Sequence, residues 1–479
     1  MNIVQVIKNE TAECRDKTVV VEKDIRLSNK ELLERVDCLA EDLAGLGVQA
    51  GSRIAFLCDD SADYIIISLA VLSLDAVIVP ISASLSLDEV SAVIQRIQVH
   101  FFIFDRAVLD DTNASPVVTS ALCSRKLGFS LIEGSDTPLP REYHALNPAF
   151  IRFSSGTTGL SKGVILSHKA IIERTDAADK GLKITSDDRI AWVLSMSFHF
   201  VVSILLFLRR GAMIILCGDN FPENLRKAFS DFNITFIYAT PFHYRLMCQL
   251  GDFTPEMMKN IRMAVSTAIG LPESLAVAFR RKFSISLSQA YGIIEVGLPF
   301  INTELDSHRS SSVGRILPDY SVCIQDPDEN GCGSVLLQGK GMFDAYYSPF
   351  QKREEWFDTG DIGYLDSEGY LFLVSRKKNV INFTGMKIFP QEVESVLNSY
   401  AGIRESYVYG QFHEQFGQVP VADIVLSEGY EEFSIENLQR FCYENLSSYK
   451  VPKEFNIVRN LPKTASGKIK RYKKGHKKS

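Results

Sequence analysis

The sequence predicts an α/β protein of two domains. Three observations carry that expectation: the chain is long at 479 residues, apolar strands alternate with amphipathic helices over the first hundred residues, and the punctuation changes near Arg376. The stretch ELLERVDCLAEDLAGLGV places Leu32, Leu33, Val36, Leu39, Ala40 and Leu43 on one helical face, and RIAFLC reads as a short buried strand. The pattern then repeats: DYIIISLAVL is a second helix and AVIVPI a second strand. SLDEVSAVIQRI is a third helix, opened by Ser86 and Glu89 in capping-box spacing, and HFFIFD is another strand. Such alternation argues for a largely parallel sheet covered on both faces. Beyond Arg376, short strands and the helices QEVESVLNSY and SIENLQRFCYENL make a separate α+β segment, so the expected domains are 1–375 and 376–479.

Composition excludes several classes. With 46% hydrophobic and 23% charged residues and a net charge of -6, the body of the chain has no bulk electrostatic attraction to nucleic acid or anionic lipid. Only the end, KIKRYKKGHKKS, is strongly basic. The nine cysteines show no CxxC pair and no Cys/His ligand spacing, which fits reduced thiols in a cytoplasmic protein. MNIVQVIKNETAECRDK carries charges where a secretory signal needs an apolar run. Residues 190–208, IAWVLSMSFHFVVSILLFL, are apolar enough to resemble a membrane span, but Ser195, Ser197, His199 and Ser203 are costly in hydrocarbon. A buried strand followed by a core helix is the preferred reading, with no stable membrane insertion.

The stretch FSSGTTGLSKGVILSH, Phe153 to His168, concentrates small and hydroxyl residues around Lys162. A loop of this composition exposes backbone N–H groups and hydroxyls to a polyphosphate, and the lysine adds a mobile positive charge. It is not a Walker A loop, because Ser161 and Gly163 flank the lysine. On composition alone it reads equally well as a surface loop between strands.

Its context decides. FSSGTTGLSKGV resembles the phosphate-binding signature of the adenylate-forming superfamily, acyl-CoA synthetase or AMP-dependent acid ligase type. YGIIE (Tyr291 to Glu295), DTGDIGYLDSEGYL (Asp358 to Leu371), SRKKNVINFTGMKIFPQEVE (Ser375 to Glu394) and LPKTASGKIKR (Leu461 to Arg471) resemble its later signatures, in the same order. The resemblance covers nearly the whole chain. It implies a large N-terminal domain of layered sheets and helices with a small, mobile α+β lid. It also implies a reaction in which ATP and a carboxylic acid give an acyl-adenylate, whose acyl group then passes to a thiol.

The resemblance assigns roles residue by residue. Ser154, Ser155, Gly156, Thr157, Thr158, Gly159 and Lys162 would hold the β- and γ-phosphates. Glu295 would coordinate Mg²⁺, Tyr291 would stack on adenine, Asp361 would accept the ribose hydroxyls, and Arg376 would contact ribose or phosphate. Lys468 would bridge the carboxylate and the α-phosphate, Lys378 would be the hinge of the lid, and Gly385 would border the thiol channel.

Departures from the family pattern bear on rate and substrate. Ile294 stands where Thr usually bonds the α-phosphate, and Ser161 replaces a frequent Pro. Ala290 and Val202 stand where Gly is common, and Asp75-Ala76 where Gly-Ala is common. His199 matches the acyl-CoA synthetase pattern at about the place where amino-acid-activating relatives carry an Asp, so the expected substrate is a fatty or aryl acid without an α-amino group. The acceptor is coenzyme A or the phosphopantetheine arm of a carrier protein; the basic tail suits an acidic carrier, and both acceptors end in the same thiol. Ile294 also motivates an alternative, a catalytically weakened nucleotide-binding sensor or scaffold.

Overall fold

The structure, a computed structural model, describes residues 1–83, 85–105, 127–132, 138–153, 162–218, 220–304, 309–384, 386–413, 415–427, 429, 433–463 and 469. Packing divides the chain into two compact units, Met1–Ser321 with Gln338–Phe357, and Val322–Leu337 with Asp358–Ser479.

The first unit is built on two sheets. In one, strands Arg53–Leu57, Val77–Ile81, Phe101–Asp105 and Pro148–Phe153 run parallel, with antiparallel strands at both sides. Every residue of Arg53–Leu57 and Phe101–Asp105 is buried, as expected for strands covered on both faces. The helices between them form where the apolar period placed them. Asn29–Gly45 buries Leu32, Val36, Leu39, Ala40 and Leu43, and Leu87–Ile97 opens with the expected Ser86/Glu89 capping box. A second capping box, Ser28 with Glu31, opens Asn29–Gly45.

In the other sheet, Thr18–Glu22, Met213–Leu216, Arg189–Trp192, Phe236–Ala239, Met263–Ser266 and Leu287–Ile293 are parallel neighbours in that order. Gly297–Asn302 turns back antiparallel on Leu287–Ile293. The helix Ala62–Ser73 has every residue buried from Ala62 to Leu72, so its lack of amphipathicity reflects apolar surroundings. Asp75 follows it at φ +53°, the left-handed region that makes glycine common there. Its carboxylate accepts from Asn2 Nδ2 at 2.8 Å and faces His168 Nε2 at 3.3 Å, tying the N-terminus to the core.

The apolar run 190–208 becomes strand Arg189–Trp192, a short helix Met196–His199, a π-helical turn Phe200–Ile204 and a helix Leu205–Arg209. Among the described residues no helix is long and apolar enough to cross a membrane. The flanking arginines are drawn into an ion-pair network instead. Arg209 reaches Glu10 at 2.6 Å and Asp176 at 2.8 Å, and Arg210 reaches Asp179 at 2.8 Å. The eight described cysteines are unbridged.

In the second unit, Gly333–Gly339, Phe357–Leu365 and Tyr370–Arg376 are successive neighbours in one sheet. A second sheet pairs Ile403–His413 with Gly417–Leu426 along their length, and helices Pro390–Ser399 and Ile435–Asn445 bury Val393, Leu397, Leu438 and Cys442 beside it. The expected boundary at Arg376 falls inside this unit. Phe357–Leu365 and Tyr370–Arg376 form a hairpin from Asp361↔Arg376 to Leu365↔Leu371, and Thr359 Oγ1 donates to Val335 O at 2.8 Å, so packing keeps them together.

Candidate functional site

Of the expected site residues, Ser154, Ser155, Gly156, Thr157, Thr158, Gly159, Gly385 and Lys468 lie outside the described residues. Lys162, His199, Tyr291, Glu295, Asp361, Arg376 and Lys378 lie within them.

In the first unit, Lys162 and Glu295 are joined through a segment that sequence reasoning missed. Phe343 donates its backbone N–H to Glu295 O at 2.8 Å, and its ring packs on Tyr346 with centroids 4.7 Å apart. The ammonium of Lys162 sits 4.6 Å from the centroid of that Tyr346 ring. Burial and the Glu295 carboxylate together push the Tyr346 phenol well above its ordinary range, so it stays neutral.

Arg174 clamps this arrangement. Its Nε donates to Gly341 O at 2.9 Å and its Nη2 to Ile294 O at 3.1 Å, and the side chain is 0% exposed. One guanidinium thereby fixes both the 294–295 turn and the segment leading to Tyr346. Gly341 is required there: its φ is +68°, and a Cβ would lie 2.2 Å from the Arg174 backbone N. Burial lowers the Arg174 pKa to about 10, against the opposing pull of Tyr320, Asp344 and Glu295, leaving it charged at neutral pH.

Tyr291 is half-buried on strand Leu287–Ile293, its ring 6.0 Å from that of Phe300. Ala290 beside it is buried, and Ile294 is half-buried against the main core. Among the described residues no group of three His, Cys, Asp or Glu side chains gathers as a metal cage. The half-buried carboxylate of Glu295 still fits Mg²⁺, which binds through one or two carboxylates plus substrate phosphates and water.

His199 closes the helix Met196–His199 where the π-helical turn begins. Such turns recur at functional sites because the extra residue re-aims its neighbours. The imidazole meets Trp192 and Tyr238 edge-on at 5.9 and 6.0 Å, and those two rings stack at 6.2 Å. Burial pushes the Tyr238 phenol up to about 12. Trp192 is 1% exposed, and its Nε1 has no acceptor among the described residues. A shallow cleft with room for little more than a water opens beside it, lined by Glu22, Trp192 and Leu216 at the C-terminal ends of three parallel strands and by Lys23, Asp60, Leu194, Gly218 and Asn224. That is where open α/β sheets bind ligands.

In the second unit, Arg376 Nε meets Asp361 Oδ1 at 2.6 Å and Arg376 Nη1 donates to Thr359 O at 3.1 Å. Gly360, between them at φ +71°, turns the strand so that the buried carboxylate faces the guanidinium. Lys378 is exposed on the single 3₁₀ turn Lys377–Asn379. Lys463 and Ile469 form an antiparallel bridge.

The signature of AMP-binding enzymes matches residues 7–347, and that of the AMP-binding enzyme C-terminal domain matches residues 392–468. The chain therefore belongs to the AMP-binding enzyme family, the adenylate-forming superfamily of acyl-CoA synthetase type. Among its relatives, the 2-succinylbenzoate–CoA ligase of Listeria monocytogenes is 28% identical over 93% of each chain. The mitochondrial medium-chain acyl-CoA ligase of Homo sapiens is 26% identical over 96% of this chain and 84% of that one. The 4-chlorobenzoate–CoA ligase of an Arthrobacter species is 26% identical, covering 93% and 89%. The fold matches ATP-bound MatB from Rhodopseudomonas palustris with a TM-score of 0.85 at 22% identity, covering 98% of this chain and 97% of that one. It matches the Bacillus subtilis o-succinylbenzoate CoA synthetase in complex with its acyl-adenylate with a TM-score of 0.82 at 23% identity, covering 98% and 99%.

Proposed function

We propose that the protein is an AMP-forming acid–thiol ligase: it activates a carboxylic acid without an α-amino group with ATP and transfers the acyl group to a thiol. The observation that carries this reading is the joining of Lys162 to Glu295 through Phe343 and Tyr346, because it ties the lysine and the acidic residue expected to meet the phosphates into one packed arrangement.

In this reading Ser154, Ser155, Gly156, Thr157, Thr158, Gly159 and Lys162 hold the β- and γ-phosphates and orient pyrophosphate as the leaving group. Tyr291 offers its ring to adenine. Glu295 holds Mg²⁺, which when bound neutralises phosphate oxygens as charge develops on them. Asp361 accepts ribose hydroxyls while Arg376 pins its other side. Lys468 neutralises both the acid carboxylate and the α-phosphate. The lid begins at Arg376, turns at Lys378 and admits the thiol beside Gly385; the single exposed 3₁₀ turn at Lys377–Asn379 suits a hinge.

The acid lies against His199, Trp192 and Tyr238. The aromatic wall suits a fatty or aryl chain. Coenzyme A is the acceptor favoured by the named relatives, and a carrier-protein arm presents the same thiol.

The test is mass-spectrometric product analysis with ATP, Mg²⁺, a panel of octanoate, benzoate, 2-succinylbenzoate and alanine, and either coenzyme A or a phosphopantetheinylated carrier protein. AMP, pyrophosphate and an acyl thioester from a non-amino acid are expected. ATP binding without AMP from any acid would favour the sensor reading that Ile294 motivates.

A further inference from the structure

Arg152 is the penultimate residue of strand Pro148–Phe153, which the glycine-rich stretch follows in the sequence. Side chains alternate along a strand. Phe153 packs with the cluster of Val79, Ile151 and Ile165 and lies under Arg96, whereas Arg152 meets the helix that carries His199. Its guanidinium stacks on Phe198 with Cζ 4.0 Å from the ring centroid, and Nη1 donates to Phe198 O at 3.3 Å.

Among other arginines of the same unit, Arg209, Arg210 and Arg262 meet carboxylates at 2.6–2.8 Å, and Arg174 has two carbonyls at 2.9 and 3.1 Å while its Nη1 has no partner among the described residues. Among the described residues Arg152 has one long hydrogen bond and a ring. Burial lowers its pKa to about 10, with Tyr64 and Glu295 pulling the other way, so it is a partly desolvated cation at neutral pH. The Tyr64 hydroxyl, within electrostatic reach of Asp60 and, more weakly, of Arg152, is a second donor: the residue is 1% exposed and its hydroxyl has no acceptor among the described residues. Its ring lies 5.7 Å from that of Phe200, on the π-helical turn after His199.

Arg152 thus touches Phe198, the neighbour of His199 on the acid wall, and feels the Glu295 carboxylate electrostatically. We propose that Arg152 is a further catalytic residue, whose in-plane N–H groups hold the acid's carboxylate, with help from the Tyr64 hydroxyl, as that carboxylate attacks the α-phosphate. The inference rests on the adenylation reading above. The contact with Phe198 uses one long hydrogen bond, from Nη1, and the remaining N–H groups of the guanidinium are suited to a planar acceptor. In the step, a carboxylate oxygen forms a bond to the α-phosphorus and the bond from that phosphorus to the bridging oxygen breaks. The electron pair leaves with pyrophosphate, and no oxidant or reductant is needed. The cation also compensates for Ile294, which presents no hydroxyl to the same reacting groups.

The experiment compares wild type, Arg152→Gln and Arg152→Lys. The probe is whichever of octanoate, benzoate or 2-succinylbenzoate gives most pyrophosphate exchange with wild type. Three readouts are taken: exchange rate with KM for acid and for ATP, thioester formation from chemically made acyl-adenylate, and thermal midpoint. The expected result is a loss of exchange of about 100-fold in the Gln variant with a raised KM for acid. The KM for ATP, the midpoint and the thioester step should stay near wild type, and Lys should recover part of the loss. Exchange by the Gln variant within threefold of wild type overturns the inference, as does an equal loss in both half-reactions or a collapse of the midpoint in both variants, since those mark a structural arginine. Absence of exchange from the wild-type protein with every acid overturns the adenylation reading itself, and this inference with it.

Discussion

Replacing Ile294 by Thr should accelerate adenylation. Ile294 is half-buried against the main core, and its carbonyl is held by Arg174 at 3.1 Å, so the backbone at this position is fixed independently of the side chain. Ile and Thr are both branched at Cβ and share χ1 preferences, so the exchange puts a hydroxyl where a hydrocarbon branch now lies. A hydrogen bond to a charged phosphate is worth about 1.5–3 kcal/mol, or roughly a 10- to 100-fold gain in rate where it is made mainly in the transition state. Against this stands lost apolar packing, about 1 kcal/mol of stability for a half-buried side chain. Pyrophosphate exchange and thermal unfolding read the two effects separately. The reasoning is refuted if the variant keeps its thermal midpoint within a few degrees and exchanges no faster than wild type, since the hydroxyl would then have no phosphate to meet.

Two further outcomes follow from the same geometry. Tyr346→Leu removes the ring beneath Lys162 while Tyr346→Phe keeps it; a cation–π contact of about 1 kcal/mol predicts roughly a fivefold rise in KM for ATP in the Leu variant and little change in the Phe variant. The second concerns pH. His168 is 1% exposed, its Nδ1 accepts from Ile3 N at 3.3 Å, and burial lowers its pKa from 6.5 to about 4, Asp75 opposing. The folded state therefore holds it neutral while the unfolded chain takes up a proton below pH 6.5. Its contribution is full above that value and falls as pH drops toward 4, by an amount on the order of 3 kcal/mol. Denaturant unfolding at pH 7 and pH 4.5 should show this loss in wild type and a smaller one in His168→Asn.

Much of the fold is legible because its signals are local. Ser86 and Glu89 sit three residues apart and find each other in the capping box, and Leu32 to Leu43 share a helical face whatever surrounds them. Candidate site residues are legible where short motifs carry them. Asp361 and Arg376 meet as strand partners, and Glu295 falls beside Tyr291. Arg174, Phe343 and Tyr346 escaped notice because their roles depend on partners far along the chain: Arg174 reaches Gly341 and Ile294, 167 and 120 residues away. An arginine among the apolar residues of the helix His168–Leu182 was the one available signal, since a buried guanidinium must be answered by several acceptors. Asp75 departs from the Gly-Ala pattern, and the sequence shows nothing of what it meets. Its reason is the distant Asn2 and His168.

The central claim, that this chain joins a carboxylic acid to the α-phosphate of ATP, is tested most directly by acid-dependent exchange of labelled pyrophosphate into ATP, run side by side on wild type and Lys468→Ala. The account predicts exchange with a non-amino acid in wild type and a loss of at least about 100-fold in the variant, with ATP binding retained in both. Exchange that persists undiminished without the Lys468 ammonium would contradict it, as would a wild-type protein that binds ATP and exchanges with no acid.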